Sequence, residues 1–294
     1  MIKKFQGIFP ALTTPFEGED IAVHRFRENI AKLNSLDLAG YVILGSTGEC
    51  VLVSDAEAER LVRAARETAA PEKMVIAGTG QESTKLTIAF TNRLAAVGAE
   101  AALVRPPSYY KARMTREVLK NHYLAVAEGA RIPIIVYNVP ANTGITIDPE
   151  LVVELAGHPN VQGLKDSSGM MAYFGKIVPN VPEGFSCMVG SGFSLLPALV
   201  MGGSGAILAV ANAAPAVCLE IFRLYKEGKV DDASKRQLDL IPLNKAVMET
   251  YGIPGLKHAM EIQGYYGGPV RRPLLPLPEE AKAEIAELVK KAHG

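Results

Sequence analysis

The sequence predicts an α/β fold, a (β/α)8 TIM barrel with a C-terminal helical extension. Two observations carry this. Between Ile8 and Val210, short apolar runs alternate eight times with segments of helical period, the pattern of a parallel barrel rather than of stacked domains. No linker rich in Ser, Gly or Pro interrupts that alternation, and 294 residues fit a barrel of about 250 residues with an addition. The expected division is a barrel over residues 1–214 and a helical extension of the same unit over 215–294.

The elements follow in order. Ile8 to Thr14 reads as the first strand, and Val23, Phe26, Ile30 and Leu33 mark the helix after it. Gly40 to Leu44 is the second strand and runs into Gly45-Ser46-Thr47-Gly48-Glu49. Ser54 and Glu57 then form a capping box for a helix through Ala69. Met74 to Ala77 is the third strand, and the helix after Ser83 stops at Gly98. Ala101 to Val104 is the fourth, followed by the loop PPSYYKARM and a helix capped by Thr115. Ile132 to Val139 is the fifth. Asp148-Pro149-Glu150 opens the next helix with an N-cap and a proline at its first position, and Gly157 closes it. The sixth strand leads to Lys165, Cys187 to Val189 makes the seventh and Ala206 to Val210 the eighth. From Pro215 only helical periods remain, including Pro278 to Lys291.

Composition narrows the function. Apolar residues make up 48% of the chain, enough for a large core, and 31 basic residues balance 31 acidic ones. That balance argues against nucleic acid or an anionic membrane as partner and favours a small molecule. Cys50, Cys187 and Cys218 are widely spaced, with no CxxC pair, and read as packing residues in a reducing compartment. Met1 to Gly7 lacks the apolar run of a signal peptide and no stretch of about 18 apolar residues occurs, so the expectation is a cytoplasmic protein. The five histidines show no HExxH or paired-ligand spacing, and neither a dinucleotide fingerprint nor a Walker sequence is present; no metal or cofactor is expected.

In such a barrel, chemistry sits in the loops after the strands. Thr13 and Thr14, Ser46 and Thr47, Tyr109 and Tyr110, Tyr137 and Lys165 all fall there. Singly, paired Ser/Thr read as turn formers, the tyrosines as core and a lysine as a solvated charge. Together the hydroxyls and one lysine, with no metal ligands, suggest proton relay beside an imine. The run Asn160 to Leu164 reads as a buried strand, and an amine at its end is partly desolvated, which favours the neutral nucleophile. Gly190-Ser191-Gly192 follows the seventh strand, where its N–H groups could meet substrate oxygens or simply make a tight turn.

With GLKDSSG (Gly163 to Gly169), GSTGE (Gly45 to Glu49) and YNVP (Tyr137 to Pro140) assembled, the sequence resembles the dihydrodipicolinate synthase and N-acetylneuraminate lyase superfamily, end to end. These are Schiff-base pyruvate enzymes on a (β/α)8 barrel. VPANTG (Val139 to Gly144), GIPGLK (Gly252 to Lys257) and GYYGGP (Gly264 to Pro269) look most like 4-hydroxy-2-oxoglutarate aldolase. The resemblance implies that Lys165 forms the imine with a 2-oxo acid such as pyruvate and that Tyr137 shuttles protons. Ser46, Tyr137 and Tyr110 would form a hydroxyl relay, with Tyr110 reaching into a neighbour's site in a dimer of dimers, a homotetramer. Ser46 and Thr47 would hold the pyruvyl carboxylate. On the substrate side the reading places Thr47, Asn142, Ser167, Gly190, Gly192 and Ile207.

Two departures matter. Dihydrodipicolinate synthases carry arginine in the loop after YNVP where this chain has Asn142, and the aldolase tends to have Asn where this chain has Thr47. The first removes a charge and is weighted more. The leading expectation is therefore cleavage of 4-hydroxy-2-oxoglutarate to pyruvate and glyoxylate. Condensation of pyruvate with aspartate semialdehyde is the runner-up, followed by other 2-keto-acid lyases or dehydratases. The non-enzyme alternative is a silent 2-oxo-acid sensor, which need not keep Lys165, Tyr137, Tyr110 and Ser46 together.

Overall fold

The computed structural model describes residues 5–294. Eight parallel strands form the barrel: β1 Gly7–Pro10, β2 Gly40–Ile43, β3 Met74–Gly78, β4 Ala101–Val104, β5 Ile134–Asn138, β6 Val161–Asp166, β7 Ser186–Val189 and β8 Gly205–Leu208. From β2 onward each strand pairs with the next, and β8 pairs with β1, Gly205 opposite Gly7 and Leu208 opposite Pro10. The seam between β1 and β2 closes where the Leu12 N–H donates to the Val42 carbonyl at 2.8 Å and the Ala39 N–H to the Ile8 carbonyl at 3.0 Å. The expected (β/α)8 architecture is therefore the observed one.

Side chains alternate across each strand. Phe9, Val42, Ile76, Leu103, Ile135, Met188 and Ile207 fill the barrel interior, while Ile8, Ile43, Val75, Val104, Val136, Leu164 and Leu208 face the surrounding helices. Both faces are buried, which is why these strands read as continuous apolar runs.

Helices α1 Val23–Leu33, α2 Asp55–Thr68, α3 Thr84–Ala96, α4 Arg116–Gly129, α5 Pro149–Leu155, α6 Met171–Ile177, α7 Leu195–Val200 and α8 Pro215–Lys226 follow the strands in turn. The capping box at Ser54 and Glu57 forms, and Thr115 and Asp148 cap α4 and α5. The expected boundary at residue 214 falls at the N-terminus of α8, which packs beside β1 and α7 and so continues the strand–helix alternation. Beyond it lie α9 Val230–Lys245, a π-helical turn at Ala246–Thr250, α10 Gly252–Ile262 and α11 Glu279–His293.

Two strands end two or more residues earlier than their apolar runs suggest. Pro10 ends β1, and beyond it Thr13 and Thr14 serve other contacts: Thr13 Oγ1 donates to Met260 Sδ at 3.4 Å and Thr14 Oγ1 to the Gly48 carbonyl at 2.7 Å. After β8 the chain turns at Val210–Asn212, where Asn212 Nδ2 donates to the Ala11 carbonyl at 2.7 Å. Among the described residues, no helix is long and apolar enough to cross a membrane.

Candidate active site

Lys165 is the penultimate residue of β6, directly opposite Tyr137 of β5 and Met188 of β7. It is 3% exposed, and its Nζ lies 4.4 Å from the centroid of the Tyr137 ring. Among the described residues no carboxylate pairs with it. The strand ends in a turn held by Asp166, whose Oδ1 accepts from Asn138 Nδ2 at 2.7 Å and whose Oδ2 accepts from Ser168 Oγ at 2.8 Å. Burial pushes the Asp166 carboxyl pKa up, and the Asn138 and Ser168 donors oppose that. A Cβ at Gly190 would lie 1.8 Å from Ser167 Oγ and 2.9 Å from Lys165 Cε. Only glycine leaves the lysine its room.

The loop after β2 is strained at both ends. Leu44 and Glu49 hold φ of 61° and 54° on either side of the Ser46–Gly48 turn, a left-handed conformation that non-glycine residues adopt at a cost. What keeps Glu49 there comes from the C-terminal extension. Lys257 of α10, also buried, brings Nζ to 2.7 Å from Glu49 Oε1 and donates to the carbonyls of Thr14 at 2.9 Å and Pro269 at 2.7 Å. The ammonium thus makes one ion pair and two hydrogen bonds. Burial lowers the Lys257 pKa against the opposing pull of Glu49. The Arg271 N–H donates to Glu49 Oε2 at 2.9 Å, and its guanidinium grips Glu57 through two bonds of 2.9 and 2.6 Å. Lys257 and Arg271 also lie over the Phe16 ring, 4.7 and 4.5 Å from its centroid.

The Arg271 guanidinium holds the Glu57 carboxyl pKa down to about 2. A depressed carboxylate contributes stability that is complete above its unfolded value of about 4.3 and disappears as pH falls through its folded value. Urea unfolding between pH 5 and pH 2.5 is therefore expected to show a stability loss that is smaller in Glu57→Gln. Equal pH slopes in the two proteins would show that this pair does not help dock the extension.

Ser46 and Tyr137 line one cavity at the mouth, together with Gln81, Cys50 and Arg105. A second cleft of about 470 Å³ continues from Ser46 past Arg105, Glu82 and Ser108 to Asn142. Lys165 and Tyr137 at strand ends, Ser167 in the turn that follows, Ser46 and Thr47 in the Ser46–Gly48 turn and Asn142 in the single helical turn Pro140–Thr143 thus all sit at the C-terminal mouth of the barrel. Tyr110 does not join them within one chain. It is 69% exposed and packs edge-on against Tyr109, with ring centroids 5.1 Å apart.

Two observations bear on the substrate-side residues. The N–H groups of Gly190 and Gly192 are already bonded, to the Asp166 carbonyl at 2.7 Å and to Asn244 Oδ1 of α9 at 3.2 Å, so these glycines supply space rather than donors. Ile207 is 0% exposed, packed among the interior side chains of the barrel.

Sequence reasoning missed Arg105 and the anchors Glu49, Lys257, Arg271, Gln237 and Asn244. Gln237 Nε2 holds the Gly192 carbonyl at 2.7 Å. Arg105 could have been found by parity, since Leu103 faces inward and the residue two places on shares its side. Lys257 stood in a quoted motif with no partner visible.

Comparison with known proteins decides the family. The model of the dihydrodipicolinate synthetase family matches residues 4–292. The chain belongs to this family. Among its relatives, the 4-hydroxy-tetrahydrodipicolinate synthase of Methanospirillum hungatei is 37% identical over 97% of this chain and 98% of its own. That of Archaeoglobus fulgidus is 38% identical over the same shares. A solved dihydrodipicolinic acid synthase family prophage protein of E. coli K12, in complex with pyruvate, superposes with a TM-score of 0.92 at 27% identity, covering 98% of this chain and 99% of that one. As a member of the dihydrodipicolinate synthetase family the chain is an enzyme, a lyase of the class I aldolase type. These relatives carry the synthase name and not that of 4-hydroxy-2-oxoglutarate aldolase, which moves support to the runner-up reading.

Proposed function

We propose that this enzyme condenses pyruvate with aspartate semialdehyde through an imine on Lys165. The observation that carries the covalent step is the buried Lys165 amine, free of any ion pair among the described residues and set over the Tyr137 ring. The amine attacks the keto carbon of pyruvate, and loss of water leaves the imine. Removal of a C3 proton gives an enamine, whose C3 attacks the aldehyde carbon while the aldehyde oxygen takes up a proton. The Tyr137 hydroxyl is the proton carrier, and Ser46 and Thr47 hold the pyruvyl carboxylate. Tyr110, exposed in its own subunit, completes the relay of a second copy in a dimer of dimers. No cofactor is required.

The names of relatives at 37 and 38% identity support the choice of aldehyde. Cleavage of 4-hydroxy-2-oxoglutarate is the second reading, favoured by Asn142 in the mouth cleft, and it uses the same imine in reverse. Purified enzyme assayed with both substrates is expected to give the larger kcat/KM for the condensation. A larger value for release of pyruvate from 4-hydroxy-2-oxoglutarate would replace the first reading with the second.

A further inference from the structure

We propose that Arg105 binds the carboxylate of the second substrate, the aldehyde partner, and so makes the enzyme selective for aldehydes that carry one. The proposal rests on the pyruvate-imine reading and holds for either aldehyde named above. Arg105 directly follows β4, on the side of the strand that Leu103 directs into the barrel. It lines both the cavity shared by Ser46 and Tyr137 and the cleft that runs on to Asn142. Among the described residues lining these two spaces it is the one cation, beside the carboxylates of Asp55, Glu49 and Glu82. Space is made for it at Gly80, where a Cβ would lie 2.7 Å from Arg105 Cγ.

The hydrogen bonds of Arg105 leave its binding edge open. Nη1 donates to Glu82 Oε1 at 2.8 Å and to the Pro106 carbonyl at 3.3 Å. Nε–H and the two Nη2 hydrogens have no partner among the described residues. Those two nitrogens form the edge of a guanidinium that meets a carboxylate through two parallel bonds. Glu82 does not neutralise that edge. Its Oε2 is taken up by the N–H groups of Ser108 and Tyr109, both at 2.8 Å, and its Oε1 lies on the Nη1 side. The Cys50 thiol, whose pKa burial pushes up, feels the opposing charges of both Arg105 and Lys165, so the two cations serve one mouth. Lys165 lies against Tyr137, which lines the first cavity together with Arg105, so a substrate extending from an imine on Lys165 along that cavity heads toward the guanidinium.

The test compares wild type, Arg105→Ala, Arg105→Lys and Glu82→Gln in the full-length enzyme. One assay traps radiolabelled pyruvate with borohydride. The other measures steady-state kinetics with aspartate semialdehyde, glyoxylate and propanal as aldehydes. Arg105→Ala is expected to raise KM for the two carboxylate-bearing aldehydes about tenfold or more, the difference between a charge-assisted and a neutral contact, with a smaller change in kcat. Its preference over propanal collapses, and pyruvate trapping stays close to wild type. Arg105→Lys recovers part of the preference, because it restores the charge but not the two-bond edge. Glu82→Gln keeps the preference. The proposal is overturned if Arg105→Ala retains the preference, or if Glu82→Gln loses it equally, which would make Arg105 a strut for the Ser108–Tyr109 loop. Failure of the wild type to trap pyruvate would overturn the imine reading itself and this assignment with it.

Discussion

Lys165→Ala is expected to lose activity by a factor on the order of 10⁴ to 10⁶, the range spanned by losing one member of a catalytic unit. The fall should lie in kcat, since the groups proposed to hold the pyruvyl carboxylate remain. The fold should survive. Lys165 forms no ion pair among the described residues, so its removal leaves no buried carboxylate uncompensated. Single-turnover kinetics and a urea titration on the same preparation separate the two effects. An inactive variant with an unchanged unfolding midpoint is the expected result, and a variant retaining more than about a hundredth of wild-type kcat would move the nucleophile elsewhere.

The second large effect concerns Lys257. Removing one member of a buried ion pair costs roughly 3–5 kcal/mol, because its partner is left charged in a poorly solvated place. Glu49 is that partner, held in a left-handed conformation at the end of the Ser46–Gly48 turn. Lys257→Met is therefore expected to lose several kcal/mol of stability and also to raise KM for pyruvate, as the turn carrying Ser46 and Thr47 relaxes. The double variant Lys257→Met, Glu49→Gln removes both charges and should recover part of the stability. Additive losses in the double variant would show that the two residues are not coupled.

These two lysines also mark what could be read from the chain. The place of Lys165 at the barrel mouth was legible because a buried strand declares itself as an apolar run, and its end is where the barrel rule looks for function. Tyr137 followed from the same rule on the neighbouring strand. Lys257 was not, because its meaning depends on Glu49, far away in sequence and brought near only by the docking of α10. Asn244 and Gln237 were hidden for the same reason, since polar residues on an amphipathic helix read as its solvent face until the loop they hold is known. The Gly190–Gly192 turn was rightly placed at the mouth, but its donors could not be counted without seeing Asp166 and Asn244 take them. The choice between two aldehydes leaned most heavily on Asn142. Arg105 bears on that choice because it brings a guanidinium into the same cleft from a different strand.

The central claim is that Lys165 carries the substrate as an imine, and borohydride reduction in the presence of pyruvate tests it most directly. The account predicts a stable pyruvyl adduct on the peptide containing Lys165, one per chain, with activity lost in proportion to labelling and no label in Lys165→Ala. An adduct on another lysine, or full activity after treatment with pyruvate and borohydride, would contradict it.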